Sequence, residues 1–216
     1  MKKFVLGTAF LMFISSLPAE ATNKHTFSLK TSSDSQQMTF MQSFGETLPP
    51  IGYVNFCRER SAECRPTRRF TDRIQLTRER AAALRKLNVA VNNAITPVTD
   101  MDLYGEVERW TYPVKKGDCE DYVLLKRRIL IQRGWPATAL LITVVRDESN
   151  EGHAVLTVQT DRGDFVLDNK VNQVKAWADT PYTFVKRQSA RNPLVWISLL
   201  PPDLEPQPVT SASNRR

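Results

Sequence analysis

The sequence of 216 residues contains little histidine or cysteine, and it has only one long apolar run. Its two histidines are His25 and His153, and its three cysteines are Cys57, Cys64 and Cys119. After the N-terminal apolar run, no stretch is long enough to cross a bilayer. There is no internal repeat, and basic residues are not interleaved with aromatic ones, which disfavours nucleic acid as a partner. The length suits one domain with ample material for a hydrophobic core.

The single apolar run lies at the N-terminus and has the features of a secretory signal. Lys2 and Lys3 give it a positive start, residues 4–17 are apolar, and residues 19–21 fit a small-x-small cleavage site. We therefore predict a signal peptide over residues 1–21 and a mature protein outside the cytoplasm, with a retained membrane anchor as the alternative. Cleavage removes Lys2, Lys3 and Glu20, whose charges sum to +1, so the formal net charge falls from +7 to +6.

Cys57 and Cys64 lie in a segment rich in proline and arginine. In an oxidising compartment their short spacing favours a local disulfide, with two unpaired surface thiols as the alternative. The disulfide leaves Cys119 as a single free thiol, which is a candidate for reactivity. The arginines of this region either dock an acidic partner or an anionic envelope surface, or form a solvated basic face. They are Arg58, Arg60, Arg65, Arg68, Arg69 and Arg73.

Composition divides the mature chain into three parts. Residues 22–47 are rich in serine, threonine and glutamine and are predicted to be a flexible leader. Residues 48–200 form the predicted folded domain, and residues 201–216 form a predicted disordered tail. Near the start of the domain, the proline and glycine of residues 49–57 favour a loop packed by aromatic side chains over a helix.

Helical periodicity precedes the strand patterns along the chain, which predicts an α+β domain. A helix capped by Thr77 buries Leu84, Leu87, Val91 and Ile95 on one face. A second helix starts at Asp118. Strands are then predicted over residues 139–145, 153–158, 165–167, 182–185 and 194–198.

Cys119 lies in the first turn of the second helix. Asp118 is a good N-cap residue, and Asp121 can supply the reciprocal hydrogen bond of an arrangement like a capping box. Unpaired N–H groups and the helix dipole at such a position favour a thiolate. Cys119 is therefore a candidate nucleophile.

His153 and Asp168 are the candidate partners of Cys119. His153 would act as the general base, and Asp168 would orient the imidazole and stabilise its charged form. Because His25 falls in the leader, the base of a cysteine–histidine enzyme must be His153. Each residue also has an ordinary alternative, since His153 fits a structural histidine, Asp168 fits a turn and the acids near Cys119 fit a helix cap.

The register of the hairpin that carries His153 and Asp168 decides whether they meet. A two-residue turn at Arg162 and Gly163 would place Asp168 about four positions from the residue facing His153, too far at roughly 3.3 Å per residue. A catalytic pair therefore requires a bulge or a turn placed earlier, near Thr160 and Asp161.

The three acids Asp118, Glu120 and Asp121 surround Cys119 with negative charge, which opposes thiolate formation. Clustered carboxylates with nearby carbonyls are the ligands that Ca²⁺ takes, so a bound Ca²⁺ would remove the conflict. The alternative is that these acids face solvent or cap the helix.

The motifs together resemble those of the bacterial transglutaminase-like cysteine proteinases. The resemblance rests on Gly-Asp-Cys-Glu-Asp-Tyr at residues 117–122 with Lys126, on Tyr104-Gly105, and on the Trp110-x-x-Pro113 pattern. Gly-His-Ala at residues 152–154 and Leu-Asp-Asn at residues 167–169 complete it.

This resemblance implies a papain/transglutaminase-like core, with the nucleophile at a helix N-terminus packed on an antiparallel sheet. It implies the triad Cys119, His153 and Asp168, and calcium dependence through Asp118 and Glu120, with Asp121 as a third ligand. Trp110 is a candidate oxyanion contributor or cleft wall.

The periplasmic LapG-type members of the family clip a surface adhesin and so release biofilm cells. We therefore expect a periplasmic endopeptidase, a monomer, with a protein substrate in the envelope and an inner-membrane regulatory partner. The arginine-rich segment and proline-rich tail depart from the adhesin-clipping branch. The rival interpretations are a transglutaminase or amidase acting on cell-wall peptides, and a non-enzymatic envelope binding module.

Overall fold

The computed structural model describes residues 39–67 and 69–204. The predicted signal peptide, most of the predicted leader and residues 205–216 of the predicted tail lie outside this part of the chain. Within it, no helix is both long and apolar enough to span a membrane.

A seven-stranded antiparallel sheet is the centre of the domain, with the strand order β1-β9-β8-β4-β5-β6-β7. Two further short strands, β2 and β3, pair in parallel with each other. The strands are β1 (Gly45–Thr47), β2 (Thr96–Pro97), β3 (Lys116–Gly117), β4 (Leu140–Arg146), β5 (Gly152–Thr160), β6 (Gly163–Leu167), β7 (Lys175–Ala176), β8 (Thr183–Gln188) and β9 (Trp196–Ser198).

Within the described residues, four α-helices accompany the sheet: α1 (Ile51–Glu59), α2 (Arg78–Ala94), α3 (Asp100–Tyr104) and α4 (Cys119–Gln132). Helix α2 begins as predicted, because the Thr77 side chain accepts a hydrogen bond from the Arg80 N–H at 3.2 Å. Helix α4 ends where Gly134 adopts a left-handed conformation with φ of 83°. Helix α4 packs against β4 and β5 and so fixes Cys119 relative to the sheet.

The two faces of the sheet bury separate apolar clusters. Ala154, Leu156 and Val158 of β5 belong to the main core, which includes the apolar side chains of the helices. Val155, which points to the other face, belongs to a smaller cluster with Met41. Side chains of β5 are therefore buried on both faces of the sheet. The predicted α+β class is confirmed, and the strand predictions match β4, β5, β6, β8 and β9.

The end of the predicted leader is ordered, which corrects the boundary at residue 47. The Met41 N–H donates to Asp164 Oδ2 at 2.9 Å, and the Asp164 N–H donates to the Thr39 carbonyl at 3.1 Å. The next residues form β1, which pairs with β9. The polar composition of this segment concealed its role, because its order comes from a buried carboxylate 123 residues away in sequence.

The predicted loop over residues 49–57 is instead helix α1, a second correction. Pro50 stands just before the helix, where its missing N–H costs nothing, and its carbonyl accepts from Val54 at 3.1 Å. Gly52 is required because the Trp110 indole packs against it; an added Cβ would lie 2.3 Å from Trp110 Cδ1. The predicted disulfide between Cys57 and Cys64 is confirmed and joins α1 to the following turn.

Replacing Gly52 with alanine is expected to destabilise the domain. Alanine gains up to about 1 kcal/mol of helix propensity, whereas forcing a methyl group into the Trp110 ring costs about 1–3 kcal/mol. We expect a net loss of about 1–2 kcal/mol in the free energy of unfolding, measured by urea denaturation. In a Trp110→Leu background the same change should become neutral or stabilising. A more stable Gly52→Ala protein would contradict the packing described here.

Candidate active site

The start of α4 presents Cys119 beside the sheet. Asp118 occupies the N-cap position, but its side chain makes no capping hydrogen bond, so the predicted capping box is wrong. Asp121 instead turns to the preceding loop, where its Oδ1 accepts from the Thr111 N–H at 2.8 Å. The Cys119 thiol donates to Glu120 Oε2 at 3.1 Å. The first turn of α4 is therefore held by the loop before it and not by its own cap.

His153 and Asp168 meet through a direct contact of 2.9 Å between His153 Nε2 and Asp168 Oδ1. Thr160 pairs with Gly163, so the two turn residues are 161 and 162. This turn lies one residue earlier than the turn at Arg162 and Gly163, which would have kept His153 and Asp168 apart. Continuing this register places Asp168 two positions from the residue opposite His153. Diagonal neighbours of this kind lie on one face, within reach of long side chains. No bulge is needed.

The Asp168 carboxylate is buried and fully hydrogen-bonded. Besides His153, its Oδ1 accepts from the Lys170 N–H at 3.0 Å, and its Oδ2 accepts from the Tyr182 hydroxyl at 2.5 Å. Burial works to raise the pKa of Asp168, but these hydrogen bonds and the His153 charge outweigh it and lower the pKa to about 2. Asp168 is therefore ionised at every pH at which the protein is expected to work.

Two asparagines of α2 anchor the loop that carries Asp168. Asn92 Nδ2 donates to the Asp168 carbonyl at 2.9 Å, and Asn88 Nδ2 donates to the Val171 carbonyl at 3.0 Å. Neither these asparagines nor Tyr182 are among the site residues predicted from the sequence. The signal available for the asparagines was their spacing of four along one helix face, where polar residues interrupt an apolar stripe.

Cys119 and His153 line the same cleft of about 700 Å³. Its other lining residues come from the segment that joins β2 to α3 and the ends of these two elements, from Asp118, from the start of β5 and from the loop after Asp168. Trp110, the candidate cleft wall, does not line it. Trp110 is buried in the core, with its ring centroid 5.5 Å from that of Tyr53 and 6.4 Å from that of Trp196.

The acidic residues near Cys119 form a cluster different from the predicted one. Pairing of β2 with β3 brings residues 96–102 beside the start of α4. As a result, Asp100 joins Asp118 and Glu120, with one carboxylate oxygen of each within 4.8 Å of the others. Asp121, the predicted third ligand, is not part of this group. Asp100 could not be identified from local sequence, since its place depends on a pairing between distant segments.

Burial and mutual repulsion shift the titration of the whole cluster. Burial and the Asp118 charge raise the pKa of Asp100 to about 7. Burial, followed by the Asp118 charge, raises the pKa of Glu120 well above its ordinary range. Burial, then the charges of Glu120 and Asp118, also raise the pKa of Cys119 well above that of an ordinary thiol. The conflict predicted between the acids and the thiolate is therefore present in the folded protein.

The cluster fits a Ca²⁺ ion. Oxygens that share a Ca²⁺ at about 2.3–2.6 Å lie no more than about 5 Å apart, which the 4.8 Å limit satisfies. Asp100 Oδ1 and Glu120 Oε1 are buried, and no N–H or O–H donor from the described residues outside the three acids reaches either oxygen. Buried carboxylate oxygens without donors need either protons or a cation.

A family model described as "Bacterial transglutaminase-like cysteine proteinase BTLCP" matches residues 43–203. The chain belongs to this family. It is therefore a cysteine protease with a transglutaminase-like fold, in which α4 carries the candidate nucleophile and the β5–β6 hairpin carries the candidate base and acid. The match begins just before β1 and includes all four helices.

Solved structures of Legionella pneumophila LapG are among the similar proteins. The calcium-bound form is 25% identical with a TM-score of 0.46, covering 58% of this chain and 71% of that chain. A second LapG structure is 28% identical with a TM-score of 0.45, and the match covers 54% of this chain and 67% of that chain. An EGTA-treated form is 28% identical with a TM-score of 0.45, and the match covers 54% of this chain and 66% of that chain. None of the curated proteins compared with the chain matches it.

Lys126 is a buried cation on α4, two turns after Cys119. Its side chain is fully buried, and its Nζ has no hydrogen-bond partner among the described residues. The ammonium lies 5.6 Å from the centroid of the Tyr122 ring. Burial lowers the pKa of Lys126 to about 7, against the opposing effect of the Asp168 charge. Folding therefore favours the uncharged amine between pH 7 and the pKa of an exposed lysine.

Lys126 is expected to add a contribution to the free energy of unfolding that grows with pH above 7. Between pH 7 and about 10 the unfolded chain holds a proton on this lysine that the folded chain has lost, which contributes roughly 1 kcal/mol per pH unit. Comparison with Lys126→Met isolates this contribution, because the acids and the thiol with raised pKa values contribute in the opposite direction in both proteins. Urea denaturation at pH 7, 8 and 9 should show the stability difference between the two proteins shifting in favour of the unmodified protein as pH rises, and a difference that does not change with pH would contradict the prediction.

Proposed function

We propose that the chain is a periplasmic cysteine endopeptidase with Cys119 as nucleophile, His153 as general base and Asp168 as the orienting acid. One observation carries this proposal: the 2.9 Å contact between His153 and Asp168 lies beside a cleft that Cys119 and His153 both line. The family shows the reaction class, and the geometry supports the proposed residue roles.

The proposed reaction proceeds through an acyl-thioenzyme. His153 uses Nε2 for Asp168, which leaves Nδ1 to take the thiol proton of Cys119. The thiolate sulfur then bonds to the peptide carbonyl carbon, and the proposed donor to the oxyanion is the Cys119 N–H at the start of α4. His153 returns the proton to the leaving amine as the C–N bond breaks. A water molecule, deprotonated by His153, hydrolyses the thioester and regenerates the thiol.

Asp100, Asp118 and Glu120 are the residues that would hold Ca²⁺. When bound, the ion offsets their negative charge and so favours the Cys119 thiolate. Asp121 is left out of this proposed ligand set because the group of acids whose carboxylate oxygens lie within 4.8 Å of one another does not include it.

The periplasmic location is supported by the signal-like residues 1–21 and by the Cys57–Cys64 disulfide, which is typical of oxidising compartments. The proposed substrate is an envelope protein such as a surface adhesin, and an inner-membrane partner is the proposed regulator. Both proposals follow from the resemblance to LapG-type proteases.

Cys119 is expected to react quickly with iodoacetamide in the presence of Ca²⁺ at pH 7. His153→Ala should slow labelling about 100-fold, in line with the loss of a general base. EGTA should also slow it, whereas His25→Ala should not. Fast labelling that EGTA does not slow would contradict the calcium role without contradicting the proposed triad. Labelling at the rate of an ordinary thiol in every case would favour a binding module, and cross-linking of an added amine in place of hydrolysis would indicate a transglutaminase.

Calcium affinity is expected to depend on Asp100 and not on Asp121. Removing one negatively charged ligand weakens a Ca²⁺ site, so Asp100→Asn should raise the dissociation constant at least tenfold. Asp121→Asn should leave it within about threefold. Isothermal titration of both variants with CaCl₂, with near-UV circular dichroism as a folding check, decides between the two ligand sets. A larger effect of Asp121→Asn would support the ligand set predicted from sequence.

A further inference from the structure

We propose that Tyr182 is a positioning residue that holds the Asp168 carboxylate in the orientation that His153 requires. The inference rests on the proposed triad and adds a fourth residue that acts through Asp168 without touching the reacting atoms.

The hydrogen bonds of Asp168 leave its carboxylate little freedom to rotate. Oδ1 is shared by His153 Nε2 at 2.9 Å and the Lys170 N–H at 3.0 Å, and Oδ2 is occupied by the Tyr182 hydroxyl at 2.5 Å. Asp168 is only 1% exposed. Without the hydroxyl, Oδ2 would be a buried charged acceptor with no protein donor, and the carboxylate could turn to seek another partner.

Tyr182 is well placed to impose this orientation because it belongs to a different part of the sheet. It immediately precedes β8, which pairs with β4, whereas Asp168 follows β6 beyond β5. Its ring also meets the His153 ring edge to face, with centroids 5.6 Å apart. One side chain therefore contacts both members of the His153–Asp168 pair, with its ring on the imidazole and its hydroxyl on the carboxylate.

The Tyr182 hydroxyl remains a donor across the working pH range. Burial, followed by the hydrogen bond to Asp168, raises the pKa of Tyr182 far above that of a free phenol. Lys170 does not replace it, because its Nζ is bound to Asp147 Oδ2 at 2.6 Å. The titratable groups that surround Tyr182 and Asp168 are His153 on β5, Asp147 and Glu148 after β4, Lys170 after β6 and Lys126 on α4.

The alternative role for Tyr182 is core packing alone. Its ring packs against the smaller apolar cluster that includes Phe184. Tyr182→Phe keeps the ring and removes only the hydroxyl, so it separates the two roles. Tyr53→Phe is the matched control. It also removes one short hydrogen bond, the one that the Tyr53 hydroxyl accepts from Gln188 Nε2 at 2.6 Å in the main core.

The test measures iodoacetamide labelling of Cys119 with Ca²⁺ and the proton NMR signal of the His153 Nε2–H. We expect Tyr182→Phe to slow labelling about tenfold and to shift or broaden the downfield imidazole signal, which His153→Ala assigns by its loss. Tyr53→Phe should lose comparable stability to urea while changing neither readout. An unchanged rate and signal in folded Tyr182→Phe would overturn the proposal.

A double-mutant cycle tests whether Tyr182 acts through Asp168. In an Asp168→Asn background, Tyr182→Phe should cost less than twofold, because the carboxylate it orients is gone. A full tenfold cost in that background would overturn the proposal. Dependence of labelling on His153 and Asp168 but not on Tyr182 rejects this inference alone. Independence from His153 rejects the triad itself.

If Tyr182→Phe does not fold, a measurement on the unmodified protein tests the proposal. Its Tyr182 hydroxyl proton should exchange slowly and resonate downfield, and the signal should vanish in Asp168→Asn. The absence of such a signal in the unmodified protein would overturn the proposal.

Discussion

Asp168 is a negative charge inside the protein, and such a charge is tolerated only when donors surround it. The chain supplies those donors from separate segments: an imidazole from β5, a backbone N–H from the following loop and a phenol from the residue before β8. Helix α2 adds the Asn92 contact to the Asp168 carbonyl. The position of the imidazole, and through it the chemistry available to Cys119, depends on this one satisfied carboxylate.

The three acids beside Cys119 differ from Asp168 in their surroundings. Asp100, Asp118 and Glu120 lie together, and oxygens that point inward lack the donors that Asp168 has. Their pKa values rise where that of Asp168 falls, although burial acts on both groups in the same direction. The difference is that N–H and O–H donors and the His153 charge surround Asp168, whereas the other three acids lie beside one another's negative charge. Asp168 is therefore ionised at neutral pH, and the other three acids form a site for protons or a cation.

Local sequence patterns predicted the elements that depend on neighbouring residues, such as helix caps and apolar periodicity. Thr77 and the apolar spacing after it predicted α2, and β-branched runs predicted the central strands. Helix α1 was missed because its proline and glycine normally indicate a loop; Gly52 is explained only by Trp110, which lies 58 residues further along the chain. Asp100 was missed for the same reason, since only the parallel pairing of β2 with β3 places it beside Asp118. The His153–Asp168 register depended on a single turn residue, which the sequence left open between two positions.

The connections to Asp168 also have a consequence for the order in which the protein folds. Cys119 precedes the main strands, His153 and Asp168 follow on a hairpin, and Tyr182 arrives with a strand that joins the sheet on the far side of β4. The pairing of β8 with β4 joins residues far apart in sequence, such as Thr143 and Arg187. The loop-closure entropy of such a pairing makes it a late event in folding. A partly folded chain that has formed α4 and the β5–β6 hairpin would still lack the phenol on Asp168. Full reactivity at Cys119 should therefore coincide with completion of the sheet, so that a nascent chain is protected from its own nucleophile until the domain is whole.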